Sequence, residues 1–482
     1  MSIIGADMNY LAKLFQFQSP FSQHVSTGPL KHISPVRLIV FCYLLLIALG
    51  SVLLYYFGAS GSMEWFTAIF TSVSAVTLTG LTPANPSSYL SGTGWWIILF
   101  LIQTGAILTV TFTVFLAIQA GIWSGLLRRI PICNEPGVFN PGSLVKLSRY
   151  IMVAFLSVEL IGAILLTLSI HSKGYLDWIA SMKYGTFMSV SAFCNSGFTM
   201  SPTGHFQWYS FGTCLLPLLT ILIVLGSIGI PVLAELIVMK KLRRCSLMAI
   251  VTITSSVILL VVGTLLFMLF EKTNSISSSV SNFSAMGYAF FASASMRSAG
   301  FSLYDMSQAT PGGLMISSML MLIGGGPGGT TAGLKVISPA IIALAIMTLL
   351  ARKNDIAVMG RRISGDSVRL AMSLTVLYLL GVFAAIIIVT SIESSELSSH
   401  AIILDSSQRA SLFLHQTFDI ISAYTNSGLT TGTISQMQYP SQWVIIITML
   451  VGRIFPPVFA YLFTRTKKPE YIKYPVEPMQ SG

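Results

Sequence analysis

Eight runs of predominantly apolar residues mark the chain: Leu38 to Phe57, Trp95 to Trp123, Tyr150 to Ile170, Phe211 to Met239, Leu247 to Phe270, Leu314 to Leu350, Leu370 to Ile392, and Trp443 to Phe463. Roughly 20 apolar residues in a helix cross the hydrocarbon core of a bilayer, so each run predicts a membrane span. Between the first and second, third and fourth, fifth and sixth, and seventh and eighth runs lie moderately apolar stretches of about 15 residues, too short to span. They are too apolar for solvated loops and predict re-entrant segments. Backbone of that kind survives at membrane depth only inside protein or beside water. Residues 1–33 are polar and mixed, with no short apolar core followed by a small-residue cleavage site, so no signal peptide is expected.

Composition removes several alternatives. The 482 residues are 54% hydrophobic and only 9% charged, and the mean hydropathy is +0.78. A soluble enzyme or a disordered chain carries far more charge. The five cysteines, Cys42, Cys133, Cys194, Cys214 and Cys245, form no CxxC pair, which argues against a disulfide framework or a zinc site. A net charge of +11 fits basic loops on one membrane face better than a nucleic-acid partner. Twenty of the 27 lysines and arginines lie in the two tails and in the loops that join one pair of spans to the next. The positive-inside rule then expects both termini in the cytoplasm and the re-entrant segments outside. The basic loops would also suit anionic lipid. The outer face carries eight acids, Glu64, Asp177, Glu271, Asp305, Glu393, Glu396, Asp405 and Asp419, and is expected to concentrate cations.

Each re-entrant segment ends in a similar nonapeptide. They are Ser74-Ala-Val-Thr-Leu-Thr-Gly80-Leu-Thr82, Ser191-Ala-Phe-Cys-Asn-Ser-Gly197-Phe-Thr199, Ala294-Ser-Met-Arg-Ser-Ala-Gly300-Phe-Ser302 and Ser422-Ala-Tyr-Thr-Asn-Ser-Gly428-Leu-Thr430. Glycine is common to all four, followed by Leu or Phe and then Thr or Ser. Four such loops in one topological slot define four units of span, re-entrant helix, loop and span. Four unrelated glycine turns would not share a nonapeptide. A K⁺ ion inside a bilayer needs oxygens to replace its water, and rings of backbone carbonyls supply them. Glycine lets a carbonyl turn at φ values other residues avoid, and small Ser, Thr and Asn neighbours can brace the loop. The helix before each loop would aim its negative C-terminal end at the axis.

On these loops the sequence resembles the Trk/Ktr/HKT superfamily of K⁺ transporters, over nearly the whole chain from about Leu38 to Phe463. The second and third nonapeptides look like that family's second and third filter loops. The resemblance implies an all-α polytopic membrane protein of four fused K⁺-channel-like units around one central pore. It implies a filter of Thr77, Leu78, Thr79 and Gly80, then Cys194, Asn195, Ser196 and Gly197, then Arg297, Ser298, Ala299 and Gly300, then Thr425, Asn426, Ser427 and Gly428. K⁺ would bind there as the transported ion. In the superfamily a serine at the first filter glycine accompanies Na⁺ transport, and Gly80 stands here. Leu78 departs from the Asn of the second and fourth loops. The resemblance is closest to the KtrB-like bacterial subunit, because one span precedes the first filter loop. It implies residence in the bacterial cytoplasmic (inner) membrane, a homodimer, and a cytoplasmic nucleotide-binding ring protein of the KtrA/TrkA kind. No nucleotide-binding stretch is seen in this chain.

Two further elements stand out. The sixth run is interrupted by Gly324, Gly325, Gly326, Pro327, Gly328, Gly329, Thr330, Thr331, Ala332, Gly333, Leu334 and Lys335. Six glycines and a proline do not hold a continuous helix. A phosphate loop would end in Gly-Lys-Ser/Thr and follow a strand, and this segment does neither. A kink with a packing role is one alternative. The family holds an intramembrane gate in this place, and the weak backbone constraint of glycine would let such a loop swing aside. Arg453 lies in the last span, where a buried arginine usually faces a polar interior. It either pairs with Glu159 or Glu235 for structure, or stands beside the pore and repels K⁺, as the family's arginine in that position suggests. Arg297 is expected to point off the axis and brace its loop.

The expected division is a cytoplasmic tail at 1–33, pore units at 34–130, 147–244, 245–353 (with gate loop 324–335) and 366–465, and a cytoplasmic tail at 466–482. The function read from this is K⁺ uptake, with possible coupling to Na⁺ or H⁺. The competing reading is a Na⁺- or H⁺-coupled secondary transporter of another small solute. Inverted repeats would alternate in orientation, and these four share one. A membrane-embedded enzyme is disfavoured by the absence of clustered intramembrane His, Asp or Ser.

Overall fold

The computed structural model describes residues 35–61, 63–119, 141–174, 176–200, 215–239, 245–271, 282–353, 355–399 and 405–465. Both tails, and the basic residues at 128–129 and 240–244, lie outside the described residues. The protein is a multi-pass helical membrane protein. Six described helices are long and apolar enough to cross a membrane.

The helices recur four times in one order. The first set is α1 (Pro35–Leu53, continued by a π-turn to Gly58), the shorter α2 (Trp65–Val76) and α3 (Gly92–Gln119). The second is α4 (Pro141–His171), α5 (Trp178–Phe193), α6 (Leu215–Ile228) and α7 (Ile230–Met239). The third is α8 (Leu247–Phe270), α9 (Asn282–Met296), α10 (Pro311–Leu322) and α11 (Ile337–Leu350). A small hairpin, β1 (Ala357–Val358) and β2 (Arg361–Arg362), leads into α12 (Gly365–Ser399), α13 (Ser406–Thr425) and α14 (Tyr439–Arg465).

In each set the first long helix packs on the shorter helix that follows it, and the sets close into a ring. Helix α3 meets α4 and α5, α6 meets α9, α10 meets α13, and α14 returns to α2 and α3. The short helices are therefore central. Their C-terminal turns are buried, as at Phe70 to Val76 and Phe418 to Thr425. The long helices expose apolar outer faces, with Phe41, Leu160, Leu265 and Phe383 all more than half exposed. In water such a surface would be costly; against acyl chains it costs nothing.

Two of the eight predicted spans are not continuous. The sixth breaks, as its glycines require, between α10 and α11. The fourth also breaks, which the apolar run Phe211 to Met239 did not reveal. Helices α6 and α7 meet at 99°. The hinge is Gly229, at φ +97°, a conformation that a side chain disfavours. A Cβ there would sit 3.0 Å from the backbone nitrogen of Gly329. The fourth run bends because the broken sixth run lies against it.

Candidate functional site

The four nonapeptides lie together at the C-terminal ends of α2, α5, α9 and α13 and repeat one backbone pattern. The residue two before each glycine is left-handed: Leu78 at φ +58°, Asn195 at +54°, Ser298 at +98° and Asn426 at +49°. So is each glycine: Gly80 at +88°, Gly197 at +73°, Gly300 at +74° and Gly428 at +89°. These glycines form a closed circuit. A Cβ built on Gly80 would stand 3.1 Å from the Gly197 Cα, and one on Gly197 would stand 3.0 Å from the Gly300 Cα. One on Gly300 would stand 3.3 Å from the Gly428 Cα, and one on Gly428 would meet the Thr79 carbonyl oxygen. Only glycine supplies both that φ and that proximity.

Hydroxyls and amides hold the loops, as the small polar residues suggested. Ser191 Oγ donates to the Phe198 carbonyl at 2.7 Å and contacts Ser196 Oγ at 2.9 Å. Ser422 Oγ accepts from the Gly428 amide at 3.1 Å. In the third loop the anchor is Ser295, one position later than the aligned Ala294. Its Oγ pairs with both the carbonyl and the amide of Phe301 at 2.7 Å. Thr77 Oγ1 donates to the Val73 carbonyl at 2.7 Å and touches Thr79 Oγ1 at 2.7 Å. Asn426 Nδ2 donates to Thr79 Oγ1 at 2.7 Å and to the Met449 carbonyl at 2.9 Å, joining the fourth loop to the first. Thr425 Oγ1 bonds back to Ile421, and Ser427 Oγ donates to the Met296 carbonyl. Cys194 Sγ faces Glu159 Oε1 at 3.4 Å. Ala299 is fully buried, its amide on the Ser295 carbonyl.

The interrupted segment 323–336 packs directly against these loops. It is not weakly constrained. The Gly324 amide donates to the Leu334 carbonyl at 2.9 Å and the Gly326 amide to Ser227 at 2.7 Å. The Val336 amide donates to Gly325 at 3.0 Å, and Thr330 Oγ1 bonds the Phe193 and Gly226 carbonyls. Thr331 Oγ1 accepts from the Gly325 amide, and Lys335 Nζ folds back on the Thr331 carbonyl at 2.6 Å. Gly328 and Gly333 adopt φ of +71° and +73°. Its glycines serve close approach: a Cβ on Gly329 would lie 2.8 Å from the Ser227 carbonyl oxygen. Freedom in the unfolded chain is thus converted into dense backbone hydrogen bonding in the fold.

Arg453 and Arg297 both meet this segment. Arg453 Nη2 donates to the Thr330 carbonyl at 2.5 Å and its Nε to Thr109 Oγ1 at 3.3 Å. The described residues contain two ion pairs, Arg362 with Asp355 and Arg369 with Asp366, so Arg453 is not paired with Glu159 or Glu235. Glu235 instead accepts from the Ser246 amide and hydroxyl at the start of α8. Arg297 points away from the glycine circuit. It donates to the Ser256 carbonyl and hydroxyl at 3.3 Å and to the Gly324 carbonyl at 3.2 Å.

Two of the eight acids expected on the outer face are buried instead. Asp419 is fully buried and accepts from the Thr431 amide and from the hydroxyls of Thr430, Thr431 and Thr433. Glu271 is buried and accepts from the amide and hydroxyl of Thr310. Both shape the backbone rather than the open surface. Thr109, Ser227, Gly229, Ser256 and Asp419 carry no motif. Only Asp419 could have been noticed, as the one carboxylate within α13.

Comparison with known proteins agrees with this architecture. Residues 8–471 match the family described as TrkH, cation transport protein. The Ktr system potassium uptake protein B of Bacillus subtilis is 26% identical over 92% of this chain and 95% of its own length. Its namesake from Vibrio alginolyticus is 29% identical over 86% of this chain and 88% of its own. The potassium/sodium uptake protein NtpJ of Enterococcus hirae is 27% identical over 94% and 98%. The crystal structure of the potassium transporter TrkH from Vibrio parahaemolyticus superposes with a TM-score of 0.67 at 17% identity, over 94% of this chain and 88% of that one, which shows a common fold. With nearly its whole length matched and four glycine loops closed into one circuit, the chain belongs to the TrkH family of cation transport proteins.

Proposed function

We propose that this protein takes up K⁺ through a single central pathway whose narrowest part is the circuit of Gly80, Gly197, Gly300 and Gly428. The observation that carries the reading is the fourfold recurrence of two left-handed positions in loops that meet at their glycines. Such loops can present successive backbone carbonyls to a dehydrated cation. The ligands would come from the backbone of residues 77–80, 194–197, 297–300 and 425–428. Potassium uptake is also what the names of the relatives state.

Segment 324–335 acts as the gate in this reading, with the Arg453 guanidinium on the Thr330 carbonyl holding it. Uptake runs down the electrochemical gradient of K⁺ across the bacterial inner membrane, with the termini and the β1–β2 hairpin on the cytoplasmic side. The basic surface there, including Arg352, Lys353, Arg361 and Arg362, suits a nucleotide-binding ring partner, and the unit of assembly is a homodimer. Radiolabelled Rb⁺ and Na⁺ uptake into liposomes holding the purified protein tests the core of this. Saturable Rb⁺ uptake that exceeds Na⁺ uptake is expected; equal uptake of both, or of neither, would refute it.

A further inference from the structure

Beside the third glycine loop the fold leaves a cavity of about 570 Å³. One face of α9 forms its long wall. Ala285, Tyr288, Ala289, Ala292 and Met296 follow one another there at helical spacing, over roughly 17 Å. Three of the five are alanines, so the helix leaves room instead of filling it. The end of α8, from Leu265 to Glu271, forms a second wall. Phe301 and Leu429, the residues that follow Gly300 and Gly428, also line the cavity.

The cavity reaches the lipid-facing surface. Leu265 and Leu269 belong to its lining, and both are more than half exposed on α8. Its polar groups include Glu271, which ends α8, and Tyr304, which lies near it. The Tyr304 hydroxyl is buried and has no hydrogen-bond partner among the described residues. Folded proteins rarely leave such a group unsatisfied, and an unseen partner is the ordinary reason. The ten residues 272–281 that join α8 to α9 include eight polar ones, so their sequence does not suit an apolar cavity.

We propose that this cavity seats one acyl chain of a phospholipid, with the Tyr304 hydroxyl donating to an ester carbonyl. The lipid comes from the leaflet at the Glu271 end of α8, the outer one in the orientation given above. Its chain runs along the alanine face of α9 toward Phe301 and Leu429. Apolar cavities stay dry and take up apolar ligands. A phospholipid matches the order of the groups, with ester oxygens at the membrane interface and hydrocarbon below. Retention of a lipid needs no transport, so the site stands independently of the filter reading. Together with that reading, it makes the lipid a brace for the residues just beyond two of the four filter glycines.

The test counts phospholipid retained per chain by native mass spectrometry of the detergent-purified protein. Melting temperature is recorded in lipid-depleted detergent and again after addition of dioleoylphosphatidylglycerol. The unmutated protein is expected to keep one phospholipid per chain that Ala292→Phe loses, because the larger side chain fills the space beside α9. Tyr304→Phe keeps the ring that packs near Phe267 and removes only the hydroxyl. It is expected to bind the lipid roughly fivefold more weakly, the scale of one net hydrogen bond. Added phospholipid should raise the melting temperature of the unmutated protein, raise that of Tyr304→Phe less, and leave Ala292→Phe nearly unchanged. Equal retention and equal thermal response in all three proteins overturns the site. So does a Tyr304→Phe chain that is the more stable one in both conditions, since its hydroxyl would then have no ligand to serve. Tyr304→Phe is nearly isosteric and decides the matter if Ala292→Phe does not fold.

Discussion

Arg453 on α14 donates from Nη2 to the backbone carbonyl of Thr330 at 2.5 Å, fastening the last long helix to the segment that interrupts the sixth apolar run. Its Nε reaches Thr109 on α3. Among the described residues no carboxylate pairs with this guanidinium.

Arg453→Gln tests that charge. Two unit charges about 7 Å apart repel by roughly 2 kcal/mol at an effective dielectric of about 20. That is a factor of roughly 30 in local K⁺ occupancy. Removing the charge and the anchor on Thr330 is expected to raise maximal Rb⁺ flux per folded molecule. The lost charge-assisted hydrogen bond is worth about 1.5–3 kcal/mol, partly offset by the relief of burying a cation. Melting temperature should fall by a few degrees. A large fall in both flux and melting temperature would make Arg453 a structural anchor only.

Replacing Gly80, Gly197, Gly300 or Gly428 singly with Ser should reduce the Rb⁺/Na⁺ uptake ratio by about tenfold, equivalent to about 1.4 kcal/mol of lost discrimination. Each Cβ would enter a left-handed backbone at a cost of about 1–3 kcal/mol. Gly428→Ser should be the most damaging, since its Cβ would run into the Thr79 carbonyl oxygen, the tightest approach of the four. Unchanged ratios in all four variants at normal expression would remove these loops from the filter.

Deleting Gly326 to Gly329 should raise K⁺ flux, because an obstruction is shortened, while lowering the melting temperature. The thermal loss follows from the hydrogen bonds of Gly326 to Ser227 and of Ile230 to Gly328. Loss of flux from a chain that still folds would identify the segment as a packing element.

Asp419→Ala should destabilise the protein by about 3 kcal/mol or more, since it leaves a buried amide and several hydroxyls without their acceptor. Thermal unfolding in detergent reads the effect. Asp419→Asn should recover part of it by keeping one carbonyl oxygen. If Asp419 bound cations from an open vestibule instead, either variant would raise the apparent K⁺ half-saturation constant with little thermal change.

Much of this was legible in the chain, for local reasons. Bilayer thickness sets the length of an apolar run, so the long helices followed from counting residues. A glycine demanded by a left-handed backbone is a local requirement, so Gly80, Gly197, Gly300 and Gly428 could be recognised and aligned without coordinates. Six glycines with a proline exclude a continuous helix wherever they occur, so the break after Leu322 was visible as well.

The rest was decided by what touches what. The fourth run reads as an unbroken span, and Gly229 bends it only because segment 326–330 lies against it. That segment looked loose, yet its glycines allow close approach and its amides find carbonyls on α6. Asp419 counted as an outward charge until the fold turned Thr430 to Thr433 back over it. The anchor of the third loop is Ser295 and not the aligned Ala294, because hydrogen-bond geometry, and not the count of residues, selects the hydroxyl that reaches Phe301. The partner of Arg453 is a backbone carbonyl 123 residues away in sequence. Any carbonyl in the chain is chemically equivalent to it, so only tertiary packing could choose Thr330.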